Sequence, residues 1–350
     1  MKNGLKKMLP VLAAFTTLAS VTCSADDMQM RNLENRVNAL EQRRGANGMI
    51  NPPARPVVRD GSDLWVQAEA LWMHATEDCL SYAVKSESTT IVDGRVKNVD
   101  YRWNWGFRAG IGYNLPHDGW DALLNWTWFR ANESKIDSPK APEVILPNLI
   151  APQSVVAEAA GKGRARLHVN LLDFELGREF FVSKWLTLRP FMGARAAWFN
   201  RAFKFGYRGP LNASGHDHNR FRAGGIRGGL DTQWGLGSGW SFFGDIALSL
   251  LYGKQRLHAH QDTGATRLYH VHNAWSAVRP MLDLAFGLRW DRLFGDSDAY
   301  RVRLQLGWEQ TSIFGFEKDL NFVNVVPGKF AYNSGDLALS GLSFQARFDF

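Results

Sequence analysis

The sequence has little cysteine and only a small excess of one charge sign. It contains two cysteines in 350 residues, which excludes a fold held together by many disulfides. Cys23 falls within a predicted signal peptide, so Cys79 is the one cysteine expected in the mature chain. Without Lys2, Lys6 and Lys7 of that peptide, 38 Lys and Arg face 34 Asp and Glu, and the formal net charge falls from +7 to +4. This near balance argues against a basic nucleic-acid-binding surface, and we expect no nucleic-acid partner.

Long hydrophobic runs are also missing after residue 25. No window approaches the roughly 18 uninterrupted apolar residues that a membrane-spanning helix requires. The chain nonetheless contains 14 Trp, 22 Phe and 33 Gly. An exported sequence of this kind encodes either a soluble β-protein or a transmembrane β-barrel. Because it contains no enzymatic motif, we expect a protein that is not an enzyme and uses no cofactor.

Residues 1–25 have the composition of a secretory signal peptide, with a basic start followed by an apolar core. The apolar stretch Met8–Val21 is too short to span a membrane. Ala25 supplies the small residue at the cleavage position, so we predict that the mature chain begins at Asp26, which N-terminal sequencing tests. A lipoprotein acylated on Cys23 is the alternative, although Thr22 is a poor residue to precede an acylated cysteine.

The segment 26–62 is predicted to form a helical or coiled-coil region followed by a linker. Apolar residues recur at a and d spacing over about two heptads, at Met30, Leu33, Val37 and Leu40. Such a segment favours a homo-oligomer, for example a trimer. A short amphipathic helix or a disordered arm is the alternative interpretation. Pro52, Pro53 and Pro56 then form a stiff linker.

Residues 63–350 alternate between apolar and polar side chains with a period of two. Between residues 102 and 115 the apolar series is Trp103, Trp105, Phe107, Ala109, Ile111, Tyr113 and Leu115. Residues 301–309 repeat the pattern, with Val302, Leu304, Leu306 and Trp308 on one face. A soluble sandwich would alternate too, with its apolar face packed as a core. The many Trp residues on the apolar side favour contact with lipid, because indole rings suit the membrane interface.

About ten segments carry this pattern, and each is long enough to cross a bilayer. They lie at 64–75, 101–115, 119–130, 164–180, 185–200, 220–235, 239–253, 276–291, 299–314 and 337–350. Short connections at 116–119, 183–184, 237–238 and 292–298 alternate with long ones at 76–100, 131–163, 201–219, 254–275 and 315–336. Short periplasmic turns and long extracellular loops are typical of outer-membrane barrels. We therefore predict an all-β, antiparallel, up-and-down transmembrane barrel with both termini in the periplasm.

Three details qualify this strand assignment. The polar residues of segment 164–180 change parity, which predicts a β-bulge at Leu171-Leu172. Pro190 and Pro280 fall inside predicted strands, where a missing N–H breaks a ladder bond. An extra hairpin is most expected within 82–100, which contains the turn dipeptide Asp93-Gly94. A barrel of 12 or more strands therefore remains open.

The last segment ends on an aromatic residue after a regular alternation. Its outward series is Leu342, Phe344, Ala346, Phe348 and Phe350. This pattern resembles the C-terminal signal that the barrel assembly machinery of Gram-negative bacteria recognises. The expected partners are therefore the outer-membrane lipid bilayer and that machinery, through Phe350.

Several runs look like the major outer membrane protein family of Legionella and the environmental chlamydiae. They are Ala70-Leu71-Trp72, 105–113 with 117–121, 172–180 and 188–191, and the resemblance spans residues 64–350. It implies an abundant, surface-exposed, porin-like barrel that is often cross-linked through cysteines. With only Cys79 left in the mature chain, an extensive disulfide network is not expected here. A lone thiol in an exported chain suggests an intermolecular disulfide or a reactive group.

Function is predicted from the charged residues whose parity points them into the barrel. They are Arg102, Arg108, Arg166, Asp173, Glu175, Arg189, Arg195, Arg227, Asp231, Asp283, Arg289, Arg301, Arg303, Glu309 and Arg347. The selectivity of a pore depends on its diameter and on the charged side chains that line it. These residues therefore predict a porin-like channel for ions and small hydrophilic solutes. In a narrow barrel the same charges would pair and plug the lumen. A plugged structural barrel that acts as a surface adhesin is therefore the alternative.

Histidines and carboxylates suggest two further possibilities. Predicted loops carry His216, Asp217 and His218, and then His258, His260, His270 and His272. Paired histidines bind Zn²⁺ or Cu²⁺, but exposed loop histidines are more often plain polar surface, so no metal site is predicted. Carboxylate and His groups at a barrel mouth could also activate water for proteolysis, although no protease motif is present.

Overall fold

The computed structural model describes residues 54, 58, 61–88, 93–116, 118–149, 157–210, 212–295, 298–321 and 331–350. The predicted signal peptide and nearly all of the predicted segment 26–62 lie outside these residues. Within them the chain is all-β. This described part contains no helix that is long and apolar enough to cross a membrane.

The described residues form fourteen strands. They are β1 (Leu64–Glu77), β2 (Ser81–Ser86), β3 (Gly94–Asn98), β4 (Trp103–Asn114), β5 (Trp120–Asp137), β6 (Val144–Pro147), β7 (Ala160–Arg178), β8 (Phe180–Phe181), β9 (Leu186–Arg208), β10 (Ala213–Gly237), β11 (Trp240–Thr263), β12 (Thr266–Phe294), β13 (Tyr300–Asn321) and β14 (Ala331–Asp349). Ten of them are long, and the short β2, β3, β6 and β8 lie in the connections.

The ten long strands close into one antiparallel ring. Their order is β1, β4, β5, β7, β9, β10, β11, β12, β13 and β14, and β14 pairs with β1. Each strand therefore pairs with the next long strand of the chain, which confirms the predicted up-and-down barrel. The hairpin expected within 82–100 exists as β2 and β3, but it forms a separate three-stranded sheet with β6. The described barrel thus has ten strands and not twelve.

Both chain ends of the barrel meet at one end, which we call the terminal end. The Phe350 amide donates to the Leu64 carbonyl at 3.1 Å, and the Ser62 amide donates to the Phe350 carbonyl at 3.0 Å. Turns here are short, and in the turn between β4 and β5 both Asp118 and Gly119 adopt positive φ. Such a conformation matches the twist of an antiparallel hairpin. The predicted short connections are therefore correct.

At the opposite end, which we call the cap end, the strands run further than predicted. Residues 201–219 and 254–275, predicted to be loops, belong mostly to β9, β10, β11 and β12. The prediction was wrong because the outward residues of these stretches are polar, and an apolar outer face marks only the part of a strand that contacts lipid. Strand β12 reaches 29 residues, well beyond the roughly ten that cross a bilayer. The parts of these strands at the cap end therefore extend beyond the membrane.

An apolar belt surrounds the outside of the barrel. Exposed members include Trp105, Ile111, Ile226, Leu248, Phe286 and Leu306. On the outer face, the ring of Trp103 contacts those of Trp72 and Trp308, with centroids 4.8 Å and 6.1 Å apart. Trp240 and Trp290 face each other in register near the terminal end. Aromatic residues at both edges of an apolar belt are typical of transmembrane barrels.

The bulge predicted at Leu171-Leu172 is wrong. Strand β7 pairs with β5 and β9 without a register shift. Instead, the polarity of the two faces reverses at this level, because the strand leaves the membrane. Toward the cap end, Leu167 and Val169 turn into the lumen and are buried, whereas Arg166 is exposed on the outer face. Water outside the barrel accepts the polar residues that lipid would not.

Pro190 and Pro280 both lie within strands, at positions where the ladder to one neighbour is interrupted. The β7 and β9 pairs skip the residues opposite Pro190. The β12 and β13 ladder begins at Met281, one residue beyond Pro280. Because a proline lacks the N–H that a ladder bond needs, these gaps allow both prolines to remain in the barrel wall.

Candidate functional site

The terminal half of the lumen contains a cavity of about 170 Å³. That volume has room for several water molecules. Seven arginines and eight carboxylates line it: Glu69, Arg108, Asp173, Glu175, Glu179, Arg189, Arg195, Arg227, Asp231, Asp245, Asp283, Arg289, Arg303, Glu309 and Arg347. The two signs are nearly balanced, as the sequence predicts.

Twelve of the fifteen predicted pore-lining residues lie on this cavity. They are Arg108, Asp173, Glu175, Arg189, Arg195, Arg227, Asp231, Asp283, Arg289, Arg303, Glu309 and Arg347. Arg102 is instead at the cap end, with its side chain 85% exposed and paired with Glu133 at 3.3 Å. Arg166 faces outward because its part of β7 lies beyond the membrane. Arg301 points inward but is buried away from the cavity.

Arg108 joins two walls of the cavity. Its Nη1 donates to Glu69 Oε2 at 2.6 Å, and its Nη2 donates to Glu309 Oε2 at 3.0 Å. Its Nε also donates to Thr127 Oγ1 at 3.0 Å. Since Glu309 belongs to β13 and Arg108 to β4, this contact passes across the face of β1 and β14.

A second brace crosses the lumen from β7 and β9 to β12. Arg195 donates to both Asp173 oxygens at 2.6 Å and 2.7 Å, and to Asp283 Oδ2 at 2.7 Å. Asp283 also accepts bonds from Arg227 and from Thr311 Oγ1. Asp283 is therefore shared by two arginines and one hydroxyl, which fixes the middle of the charged network.

Near the terminal end, Arg301 forms the most enclosed ion pair of this half. It donates two bonds to Asp291 and one to Asp349 Oδ2 at 3.2 Å. Arg303 makes one bond to Asp291 at 3.1 Å, and Arg347 donates to both Asp349 oxygens. The first arginine therefore braces the wall, and the other two reach the cavity.

Toward the cap end, the charged network gives way to a packed apolar layer. Its members are Leu71, Phe129, Val169, Phe199, Phe221, Leu251, Met281, Ile313, Phe316 and Leu339, all buried and part of one cluster. The rings of Phe199 and Phe316 are 5.3 Å apart, and those of Phe221 and Phe316 are 6.4 Å apart. Because Phe199 and Phe316 come from strands on different sides of the ring, the layer spans the lumen.

Phe316 reaches this layer through an irregularity that parity does not predict. The β13 and β14 register shifts between Ile313 and Glu317, and Gly315 adopts a φ of +62°. Simple alternation would point Phe316 outward with Phe314. The bulge turns it inward instead, so sequence reasoning missed this residue, and the isolated Gly315 within a strand pattern was the available signal.

Beyond the apolar layer, a buried ion cluster and the three-stranded sheet complete the closure. Arg201 is 0% exposed and lies 3.3 Å from Glu77 and 3.8 Å from Glu317. Its Nη2 also donates to the Cys79 carbonyl at 3.1 Å. We call the sheet of β2, β3 and β6 the cap. Buried residues of this sheet belong to the same hydrophobic cluster as the apolar layer. The lumen is therefore closed at the cap end.

The cap is tied to the barrel wall through tyrosines. Tyr207 on β9 donates its hydroxyl hydrogen to the Tyr82 carbonyl, and the Tyr82 hydroxyl donates to Asp137. Lys97 of β3 also pairs with Asp137 at 3.2 Å. Burial raises the pKa of Tyr82, and the neighbouring carboxylate raises it further. Tyr82 therefore stays protonated and keeps donating its bond at ordinary pH.

Comparison with solved structures finds outer-membrane barrels at low sequence identity. The outer membrane protease OmpT from Escherichia coli is 9% identical, covers 84% of this chain and 99% of its own, and gives a TM-score of 0.47. A Pseudomonas aeruginosa FadL homologue is 5% identical, with coverages of 82% and 89% and a TM-score of 0.23. The Pseudomonas putida toluene transporter TodX is 8% identical, with coverages of 83% and 89% and a TM-score of 0.25. No curated protein matches the sequence.

The family of the chain is shown by its sequence. Residues 56–350 match the family described as Legionella pneumophila major outer membrane protein precursor. The match includes all ten barrel strands, the charged cavity and the apolar layer. It also confirms the family that the runs in strands β1, β4 and β7 resemble. The chain therefore belongs to the Legionella major outer membrane protein family, and its barrel is an outer-membrane barrel.

Proposed function

We propose that this protein is a porin-like channel for ions and small hydrophilic solutes, and that the structure represents its closed state. The observation that carries the proposal is the charged cavity that ends at a single apolar layer. A lumen ringed by fixed charges selects ions, and a hydrophobic constriction gates a pore by excluding water. The charged cavity and the apolar layer follow one another along the barrel axis.

The position of Phe316 supports a gate at this layer. Strand β12 does not pair with β13 between Thr266 and Pro280, and β13 beyond its bulge pairs only with β14. The segment that carries Phe316 therefore has a backbone ladder to one neighbouring strand and not to two, while its carbonyl accepts a side-chain bond from Gln255 Nε2 at 2.7 Å. Glycine at position 315 already occupies the left-handed region, so the bulge can rearrange without steric cost from a Cβ. Displacement of this segment would let water enter the layer.

The orientation in the membrane belongs to the same proposal. In bacterial barrels, short turns face the periplasm and the longer segments face outward. We infer that the terminal end is periplasmic and that the cap end lies at the cell surface. The cavity would then open toward the periplasm, and the gate would lie near the outer leaflet.

Conductance in planar bilayers tests the gate. Phe316→Gln places an amide in the apolar layer and should hydrate it, so this variant is expected to conduct in longer or more frequent openings than the wild type. Phe316→Ala removes bulk without adding polarity and should have a smaller effect. Phe314→Ala is the matched control, because Phe314 is a neighbour on the same strand that is exposed on the outer face. Correctly folded wild-type and Phe316 barrels that never conduct would reject the channel.

A plugged surface barrel is the second candidate, and the packing of the apolar layer and the cap favours it. Fully buried residues such as Tyr82, Phe199 and Phe221 make the closure resemble a protein core. In that case folded protein would bind host cells and would not conduct in any variant. Proteolytic activity is not part of the proposal, and incubation with unstructured peptides should leave them intact.

A further inference from the structure

Six histidines lie together on the outer face of β10, β11 and β12, beyond the apolar belt at the cap end. Strand pairing arranges them in two rows, one of His216, His260 and His270 and the other of His218, His258 and His272. The sequence placed them in two separate loops. Since these stretches are strands, the register brings all six side chains onto one surface. We call this group the histidine face.

The imidazoles of the histidine face are in mutual contact. The ring centroids of His258 and His272 are 4.4 Å apart, and those of His270 and His272 are 4.3 Å apart. Those of His216 and His260 are 5.5 Å apart. The Nδ1 atoms of His258 and His272 lie within hydrogen-bond distance of each other. Two ring nitrogens that face one another so closely must share either a proton or a cation.

Solvent reaches this surface. His270 and His272 are exposed, and the other four rings are half-buried. The outward residues between the rows and the apolar belt are charged, as at Arg220 and Lys254. The histidine face is therefore above the lipid, where a dissolved ion can reach it.

We propose that His258 and His272 bind a divalent transition-metal ion of the Cu²⁺, Ni²⁺ or Zn²⁺ class. Neutral imidazole nitrogens are favoured ligands of these ions, and Cu²⁺ binds most tightly among them. The part of the chain that the structure describes has no group of three or more His, Cys, Asp or Glu side chains arranged to hold a metal ion. The site therefore has two protein ligands, and water completes the coordination. This surface lies outside the lumen and does not depend on the proposed channel.

Cu²⁺ titration of the full-length, untagged, folded barrel tests the site, with electron paramagnetic resonance as the readout. The spectrum should show one bound Cu²⁺ per chain with hyperfine coupling to two imidazole nitrogens. His258→Gln and His272→Gln should each lower the affinity by about tenfold or more, because changes even around a metal ligand cost 10-fold to 100-fold. Both variants sit on an exposed surface, so the folded fraction should not change.

His168→Gln is the matched control, since His168 is a half-buried outward histidine on β7 that is separated from β10 by β9 and is aligned through Asn200 with Arg220 and not with a histidine. It should leave Cu²⁺ affinity unchanged. Equal affinity in the wild type and in the His258 and His272 variants would overturn the proposal. So would a loss of affinity in His216→Gln and His218→Gln alone, because that result would assign the ion to the other pair. If the wild type does not bind Cu²⁺ at all, the proposal is also overturned, and the two rings share only a proton.

Discussion

Arg301 and Arg303 stand two residues apart on the same face of β13, yet the structure predicts different consequences when each is replaced by Gln. Arg301 is 1% exposed and binds Asp291 and Asp349. Arg303 makes one bond to Asp291 and borders the cavity. Arg301→Gln removes two of the bonds to the buried Asp291, which keeps its bond from Arg303, and one bond to Asp349, which Arg347 still binds. Arg303→Gln leaves Asp291 still paired with Arg301.

The difference in cost follows from these contacts. Removing one partner of a buried ion pair typically costs about 3 to 5 kcal/mol, since the other charge stays buried. Loss of one hydrogen bond to a charged group costs about 1.5 to 3 kcal/mol, and cavity water can replace part of it. We therefore expect Arg301→Gln to lower the free energy of unfolding by about 2 kcal/mol more than Arg303→Gln.

Denaturant unfolding of barrels folded in detergent measures this difference, with fluorescence of the 14 tryptophans as the signal. The midpoints should differ while the slopes stay equal, since a change in slope would indicate altered compactness. Arg292→Gln is the matched control, because Arg292 is exposed on the outer face, and it should cost within about 0.5 kcal/mol. A larger cost for Arg303→Gln than for Arg301→Gln would refute the assigned roles.

Three other predictions follow from the same contacts. Asp283→Asn removes one carboxylate from the cavity, so the reversal potential in a salt gradient should move toward anion preference, and an unchanged value would place Asp283 outside any ion path. Burial alone would raise the pKa of Asp137, but bonds from Tyr82 and Lys97 hold it below the ordinary value of 3.8. The stability that this carboxylate adds to the cap is therefore present above its unfolded pKa and lost as pH falls through the lower folded pKa. Pepsin should then cut between β2 and β3 faster in Tyr82→Phe than in the wild type at the upper end of its acid range, where Asp137 is still ionised in the wild type, and equal rates there would contradict the role of this bond. Disulfide-linked dimers on non-reducing gels should disappear in Cys79→Ser, whereas identical migration of both proteins would show that the thiol does not pair between chains.

The barrel itself was predictable because lipid imposes a simple rule. Every membrane-facing side chain must be apolar and every second residue faces lipid, so residues 102–115 and 301–309 reveal their strands directly. The same rule selected twelve residues that border the cavity. It failed for Arg102 and Arg166, because both lie beyond the membrane, where water surrounds the barrel and polar residues turn outward.

The closure of the lumen was not predictable in this way. Leu71, Phe199 and Phe221 are apolar residues at inward positions, and an aqueous pore gives no reason for them. Phe316 enters the same layer only because a bulge at Gly315 shifts its parity. Neither feature has a local sequence signal that is stronger than the alternation around it.

The sequence by itself predicted about ten strands, the up-and-down order, the lipid-facing belt and the charge balance of the lumen, since each depends on local alternation and on the turns between segments. It left a count of 12 or more open. Only the tertiary structure decided which inward charges border a cavity and which are buried, as with Arg303 and Arg301. It also decided that the lumen closes and that the histidines of two distant segments meet. These outcomes depend on pairing between residues far apart in the chain, and on side chains that meet across the ring, which periodicity along one strand does not encode.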